Sequence, residues 1–196
     1  MNPFTESIGL NGRHASLEPL SLSHHDDLVA ATSDGELWNL WYTHVPSPER
    51  MSAEIERRLR LQQAGSMLPW SVRSASTGKI VGMTTYMNID AIYRRVEIGA
   101  TWYAQSSQRT LLNTECKLML LTHAFESLEC IAVEFRTASF NHASRRAIER
   151  LGAKQDGVLR SHQMYADGGL RDTVVYSITA AEWPAVKLHL NFKLGR

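Results

Sequence analysis

The feature that most limits the fold is a stretch of alternating character, Arg95 to Tyr103, followed by a long helical pattern and a second strand pattern. Within it Val96, Ile98, Ala100 and Trp102 face one way, and Arg95, Glu97, Gly99, Thr101 and Tyr103 the other. That is the period of a strand covered on one face. Leu118, Leu121, Phe125 and Leu128 then recur at helical spacing over Asn113 to Leu128, with Asn113 or Thr114 placed to cap the start. Ile131 to Thr137 reads as a strand again, with Ile131, Val133 and Phe135 on one face. A strand, a helix and a strand in this order imply a right-handed crossover between parallel neighbours. Any sheet that contains them is at least partly parallel and carries the helix on one face.

The remaining segments are added around this unit. Arg13 to Leu20 reads as a first strand, Ser23 as the cap of a short helix through His25 to Ala31, and Asp34 to Trp41 as a second short helix. Ser47 and Pro48 open a helix whose apolar face is Met51, Ile55, Leu59 and Leu61, with Glu54, Glu56, Arg57, Arg58 and Arg60 mostly outside; Gly65 stops it. Trp70 to Ser74 and Lys79 to Asn88 are strands joined by the Ser76-Thr77-Gly78 turn, and with Arg95 to Tyr103 they make an antiparallel meander. Asn141 caps a helix with Ala143, Ala147, Ile148 and Leu151 on one face, ended by Gly152. Val158 to Tyr165 and Arg171 to Ile178 form a hairpin around Asp167-Gly168-Gly169, and Trp183 to Phe192 is a final amphipathic helix. The fold class is therefore α/β, an α+β mixed sheet covered by helices. No long linker divides the chain, so residues 1–196 read as one domain, with a core over about 10–180 and a C-terminal helix over about 180–192.

Composition narrows the function classes. A formal net charge of +1 lacks the basic excess of a generic nucleic-acid surface. Apolar runs are far shorter than the roughly 20 residues that span a bilayer, and Met1 to Leu10 has no leader pattern. The two cysteines, Cys116 and Cys130, show no zinc or redox spacing. A cytoplasmic protein without nucleic-acid or membrane partners is the expectation. The eight histidines show no metal-ligand spacing, and no metal is implied.

Specific chemistry enters with three strings: Arg95-Val96-Glu97-Ile98-Gly99, then Gln108-Arg109-Thr110-Leu111-Leu112-Asn113-Thr114-Glu115, then Asn141-His142-Ala143-Ser144-Arg145-Arg146-Ala147-Ile148-Glu149-Arg150-Leu151-Gly152. Together they resemble the GNAT superfamily of N-acetyltransferases. The Asn-x-x-Ser-x-x-x-x-Glu-x-x-Gly string is similar to its RimJ/RimL-like members. The resemblance, over roughly residues 10–180, implies a single domain with a central, mostly antiparallel twisted sheet, split by a V-shaped opening and flanked by helices. It implies acetyl-CoA as cosubstrate, no metal, and transfer of acetyl to a primary amine by direct attack in a ternary complex. The acceptor would be a protein N-terminal α-amino group or a small-molecule amine.

The resemblance also implies residue roles. Gln108, Arg109, Thr110, Leu111, Leu112, Asn113 and Thr114 would hold the pyrophosphate, largely with backbone N–H groups at a helix start, where unpaired donors and the helix dipole favour an anion. Leu111 and Asn113 stand where the family pattern has glycine. A non-catalytic CoA-binding or interaction module with a degenerate loop is the alternative reading. Trp102 and Tyr103 end the strand at which a bulge, expected over Thr101 to Ala104, would free backbone groups for the pantetheine arm and acetyl carbonyl. Asn141 would lie against the pantetheine, or merely cap its helix. Ser144 would protonate the departing thiolate, or merely satisfy the first turn. Glu97 is the first candidate for the base and Glu134 the second; a strand residue ion-paired to Arg95 or Arg136 is the plainer reading of Glu97. Tyr103 and Tyr165 are further candidates as acids. Trp38, Trp41 and Tyr42 would wall the acceptor site or pack in the core, and Arg160 and Arg171-Asp172 would face the acceptor or frame a hairpin. Apolar Trp183, Val186, Leu188, Leu190 and Phe192 can pack on the chain itself or on a second copy, which leaves a homodimer open.

Overall fold

The computed structural model describes residues 2–165 and 167–196. Among them, eight strands form one sheet: β1 (Leu10–Asn11), β2 (Ala15–Pro19), β3 (Met67–Ser74), β4 (Ile80–Asp90), β5 (Arg95–Tyr103), β6 (Ala132–Ala138), β7 (Lys154–Met164) and β8 (Leu170–Thr179). Their order across the sheet is β1-β2-β3-β4-β5-β6-β8-β7. Every pairing is antiparallel except β5 with β6, the pair joined by the helical crossover.

Helices cover both faces, and two successive residues of β4 show how they divide. Thr85 accepts a hydrogen bond from Arg58 of α2 (Met51–Gln63), whereas the Tyr86 hydroxyl donates to the Leu120 carbonyl of α3 (Leu111–Thr122). Adjacent side chains on a strand point to opposite faces, so α2 and α3 lie on opposite sides of the sheet. With α2 packs α1 (His25–Ser33). On the α3 side lie α4 (His142–Glu149), tied to α3 through Arg150 and Thr114, and α5 (Trp183–Lys193), whose Trp183 stacks on Phe125 with centroids 5.2 Å apart. Between sheet and helices lie Leu17, Ile55, Leu68, Trp70, Leu120, Leu121, Val133 and Ile178, all fully buried. Each such aliphatic side chain contributes about 1.5–3 kcal/mol.

Several local expectations are corrected. Ser21, not Ser23, caps the turn that leads into α1, its Oγ accepting from the Ser23 N–H at 3.2 Å. Asp34 to Trp41 yields only a 3-10 turn, Leu37–Asn39, because Leu37 alone finds a buried position there. The long helix starts earlier than expected. Its cap is Thr110, whose Oγ1 accepts from the Leu112 N–H, and its end loosens into a π turn, His123–Ser127. Arg58 is buried rather than outside, at 1% exposure. Inside α3, Glu115 is fully buried and accepts backbone N–H bonds from Arg13, His14 and Ala15, with the Arg196 guanidinium on the same carboxylate.

What positions the site is a fault in the sheet. β5 and β6 pair only at Arg95↔Ala132, Val96↔Val133 and Glu97↔Glu134. Beyond that point β5 stays with β4 and β6 with β8, so the two halves part in a V. Opposite the opening, Thr85 pairs with Gly99 and Met83 with Trp102, which leaves Ala100 and Thr101 against the single Thr84. This bulge lies a residue or two before the expected Thr101 to Ala104, with Ala100 in the left-handed region at φ +46°. The extra residue reverses the alternation: Ile98 pairs with Tyr86 on the α3 side, but Trp102 pairs with Met83 on the α2 side, not on the Ile98 face.

β4 passes so close to β5 here that a Cβ at Gly82 would run into the Trp102 carbonyl oxygen and the Tyr103 backbone. Gly82→Ala is expected to cost about 2 kcal/mol and to lower the thermal midpoint by about 4–8 °C. Calorimetric melting of the variant checks this, and an unchanged midpoint would refute it.

Candidate active site

At the point where the strands part stands Glu97, 5% exposed on β5. Its Oε2 accepts from Asn88 Nδ2 at 2.7 Å, and Arg136 Nε lies 3.5 Å away. Arg136 is shared with Glu134, the partner of Glu97 across the parallel pair, at 2.7 Å, and Arg95 reaches Glu134 at 3.5 Å. Desolvation by burial raises the Glu97 carboxyl above its ordinary range, against the Asn88 hydrogen bond and the Arg136 charge. These side chains, with Asp90, Tyr93 and Ile131, line a groove of about 470 Å³. The groove is on the α2 side, because Glu97 pairs with Met87, two residues from Thr85. Oε1 of Glu97 reaches forward over Gly99, where a Cβ would meet it at 2.8 Å, so the carboxylate leans along β5 toward the bulge.

Two buried cations meet the bulge itself. Arg58 donates from Nη2 to the Ala100 carbonyl at 3.2 Å, from Nη1 to Thr85 Oγ1 at 2.8 Å and from Nε to Glu54 Oε1 at 2.7 Å. From α3, Lys117, 6% exposed, donates from Nζ to Thr101 Oγ1 at 3.0 Å, and that hydroxyl lies 2.8 Å from Thr84 Oγ1. Among the described residues no carboxylate lies within ion-pair distance of Lys117. Desolvation lowers its ammonium to about 8. Sequence reasoning missed both. For Arg58 a signal existed: Met51, Ile55 and Arg58 follow the i, i+4, i+7 rule of one helix face.

The start of α3 faces the open end of the V. Gln108 Nε2 donates to the Tyr103 carbonyl at 3.0 Å and Thr110 Oγ1 to the Ser107 carbonyl at 2.8 Å, which closes the loop on itself. Arg109 takes the left-handed conformation at φ +59° and is exposed. Leu111 and Asn113, where the family pattern has glycine, are ordinary helical residues, with the Leu111 side chain turned outward at 42% exposure. The loop's one left-handed residue is thus neither of them. Leu112 N–H is capped by Thr110, so the Leu111 and Asn113 N–H groups point past the helix start without a partner one turn back. That set of donors fits an anionic phosphate. Asn113 Oδ1 is buried without a hydrogen-bond partner among the described residues. Thr114, by contrast, is 2% exposed and turned toward Arg150 Nη2 at 3.5 Å.

The other candidates divide. Asn141 Oδ1 accepts the Ser144 N–H at 3.0 Å, capping α4, and the half-buried Ser144 follows in its first turn. Tyr103, a candidate acid at the end of β5, is turned into the core at 7% exposure, beside Cys116. Trp102 is 5% exposed on the α2 side, with its indole N–H unpartnered among the described residues. Trp41 is 60% exposed, so it is not a core residue. It makes a rim with Tyr42, Phe140 and Tyr165, at centroid distances of 5.6, 5.8 and 5.1 Å, while Trp38 takes no part in these ring contacts. Phe140, just before Asn141, was missed; nothing in its spacing marks it. Arg160 is ion-paired to Asp172 at 2.7 Å, framing the hairpin, whereas Arg171 is half-buried and donates to Gln163.

A mixed sheet split at a bulged strand, with two helix starts beside the opening, defines the class: an acyltransferase of the GCN5-related fold. Residues 15–154 match the acetyltransferase (GNAT) domain family, and the chain belongs to it. It is 34% identical over 110 residues to a Bacillus subtilis (strain 168) protein named as a ribosomal N-acetyltransferase, YdaF. That match spans 56% of this chain and 59% of YdaF. A solved structure described as an acetyltransferase from T. thermophilus is 32% identical, covers 96% of this chain and 98% of its own, and superposes with a TM-score of 0.84. Mycobacterium smegmatis RimJ, solved with CoA-disulfide, shares the fold at 21% identity and a TM-score of 0.82, covering 98% of this chain and 97% of its own.

A raised Glu97 carboxyl has a consequence for stability. The folded state holds this proton to higher pH than the unfolded chain does. The stability it contributes is therefore complete below the unfolded value, near 4.5, and lost as pH rises through the folded one. Glu97→Gln, which keeps an acceptor for Asn88, is expected to melt above the wild type once pH exceeds the raised folded-state value and to converge with it below the unfolded value near 4.5. Melting curves across that range test this; a variant less stable at neutral pH would overturn it.

Proposed function

We propose that the chain transfers the acetyl group of acetyl-CoA to a primary amine by direct attack within a ternary complex. The observation that carries this reading is the end of β5–β6 pairing at Glu97 and Glu134, beside a bulge at Ala100. The strands diverge from there toward the helix starts, and the groove that holds Glu97 lies at their paired end. Acetyl-CoA supplies an activated acetyl carbonyl and a thiol that can leave. Leu111 and Asn113 would hold its pyrophosphate through their N–H groups, with Arg109 adding charge and Gln108 and Thr110 fixing the loop. Asn141 would meet the pantetheine arm. That the helical backbone at Leu111 and Asn113 needs no glycine supports this reading over a non-catalytic module.

Glu97 serves as the base. An acceptor arrives as an ammonium, and Glu97, Glu134 and Asp90 outnumber Arg95 and Arg136 in the groove, a sign that favours it. A carboxylate whose proton affinity is raised by burial is better matched to taking that proton than an exposed one. Ser144 donates its hydroxyl proton to the departing thiolate. Trp41, Phe140 and Tyr165 form an apolar rim for the part of the acceptor beyond its amine. The open groove and the YdaF likeness favour a protein N-terminal α-amino group over a small amine.

Titration calorimetry with acetyl-CoA tests the donor half. Micromolar binding is expected, weakened about tenfold in Asn141→Ala; no binding at millimolar acetyl-CoA would sink the reading. In turnover, Glu97→Gln is expected to lower kcat/KM by about 10²–10³-fold near neutral pH. It should also remove the acid limb of the pH–rate profile, which in the wild type lies above the ordinary carboxylate range. A profile unchanged in the variant would assign the base elsewhere.

A further inference from the structure

The bulge has to be held in place. A non-glycine residue in the left-handed region costs about 1–2 kcal/mol, and Ala100 has no side chain to offset that locally. Burying a guanidinium or an ammonium costs several kcal/mol more unless its donors are used. Yet both residues of the bulge are gripped by a buried cation, from opposite faces. Arg58 of α2 takes the Ala100 carbonyl, and Lys117 of α3 takes the Thr101 hydroxyl. Each nitrogen of the Arg58 fork has a partner: Glu54 holds its Nε, Thr85 its Nη1 and Ala100 its Nη2. Thr85 and Ala100 lie on the two strands the bulge joins, so the planar group fixes one against the other.

The grip has a directional effect. In a planar trans peptide the carbonyl and the following N–H point in opposite directions. Ala100 C=O points to Arg58, on the α2 side; the Thr101 N–H therefore points to the α3 side, the face that carries the starts of α3 and α4. Neither Ala100 nor Thr101 has a register partner on β4 or β6.

We propose that Arg58 is a positioning residue for acetyl transfer: by holding the Ala100 carbonyl it aims the Thr101 N–H at the acetyl carbonyl of the donor, while Lys117 holds the same bulge from the opposite face. The proposal rests on the acetyl-CoA reading above. When the acceptor nitrogen bonds to the carbonyl carbon, the C=O electron pair moves to oxygen; a donor aimed at that oxygen stabilises the charge until the C–S bond breaks and the thiolate leaves protonated. Arg58 does not touch the substrate. It acts through the peptide plane between Ala100 and Thr101, and lysine, without a fork, cannot hold Thr85, Glu54 and Ala100 at once.

The test uses the full chain with acetyl-CoA carrying a ¹³C-labelled acetyl carbonyl. Arg58→Met, Arg58→Lys and the milder Thr85→Val are compared with wild type in kcat, KM for acetyl-CoA, and the infrared carbonyl stretch of the bound donor. Arg58→Met and Arg58→Lys are expected to lose about 100-fold in kcat with KM within about threefold of wild type. The carbonyl stretch should shift toward its value in water-free solvent as the N–H is lost. Should Arg58→Met fail to fold, Thr85→Val, which leaves the charge pair with Glu54 intact, is expected to show a smaller loss of kcat and a carbonyl shift in the same direction. Full kcat in Arg58→Lys, or an unmoved carbonyl stretch in any folded variant that binds donor, overturns the proposal. Absence of donor binding by the wild type itself would defeat the acetyl-CoA reading instead, and the two failures are thus distinct.

Discussion

Strand pairing that stops at Glu97 is the constraint on which the rest depends. A parallel pair inside a sheet normally runs the length of both strands, because unpaired backbone in the interior is costly. Here each strand keeps its antiparallel neighbour and gives up the parallel one, so the sheet divides without falling apart. The bulge at Ala100 accommodates the divergence by twisting β5 locally, and it reverses which side chains face each helix layer. Trp102 consequently belongs to the α2 layer, although the strand's alternation assigns it to the other.

Electrostatics follow from that geometry. Opening a sheet exposes the middle of the molecule, and charged residues normally excluded from it become tolerable there. Glu97 is buried but tied to Asn88 and Arg136; Arg58 is buried with a partner on each nitrogen; Lys117 is buried with one hydroxyl partner among the described residues. The three are not interchangeable. Glu97 faces the groove, whereas the two cations grip the bulge, Arg58 at the Ala100 carbonyl and Lys117 at the Thr101 hydroxyl.

Much of this is written in local pattern. The alternation of Arg95 to Tyr103, the long helix and the strand after it identify the crossover, and the hairpin signals place the other strands. The Asn141 string identifies the family because its spacing combines a cap, a hydroxyl and a turn-ending glycine. Pattern fails where tertiary contacts decide. Alternation cannot show that a strand skips a residue, so it puts Tyr103, which packs beside Cys116, on the same face as Glu97. Arg58 reads as surface by its charge, and it takes Glu54 together with partners on β4 and β5 to make its burial tolerable. Phe140 and Trp41 meet across segments a hundred residues apart, a contact no local rule reports. The missing glycines point to strain that the backbone does not have, since it is Arg109 that turns left-handed.

The carboxylate of Glu115 joins distant parts of the chain. Residues 13 to 15, the helix α3 and Arg196 all close on one buried pair of oxygens. Glu115 follows directly on the residues that begin α3 after the loop, so fraying of either segment would strip partners from a charge that cannot reach water. Local opening is thereby made expensive at sites far apart in sequence, and the edge strands, the helix start and Arg196 behave as one cooperative unit. Fraying of the helix start and exposure of the backbone near residue 14 are then linked quantities, each a reporter of the other.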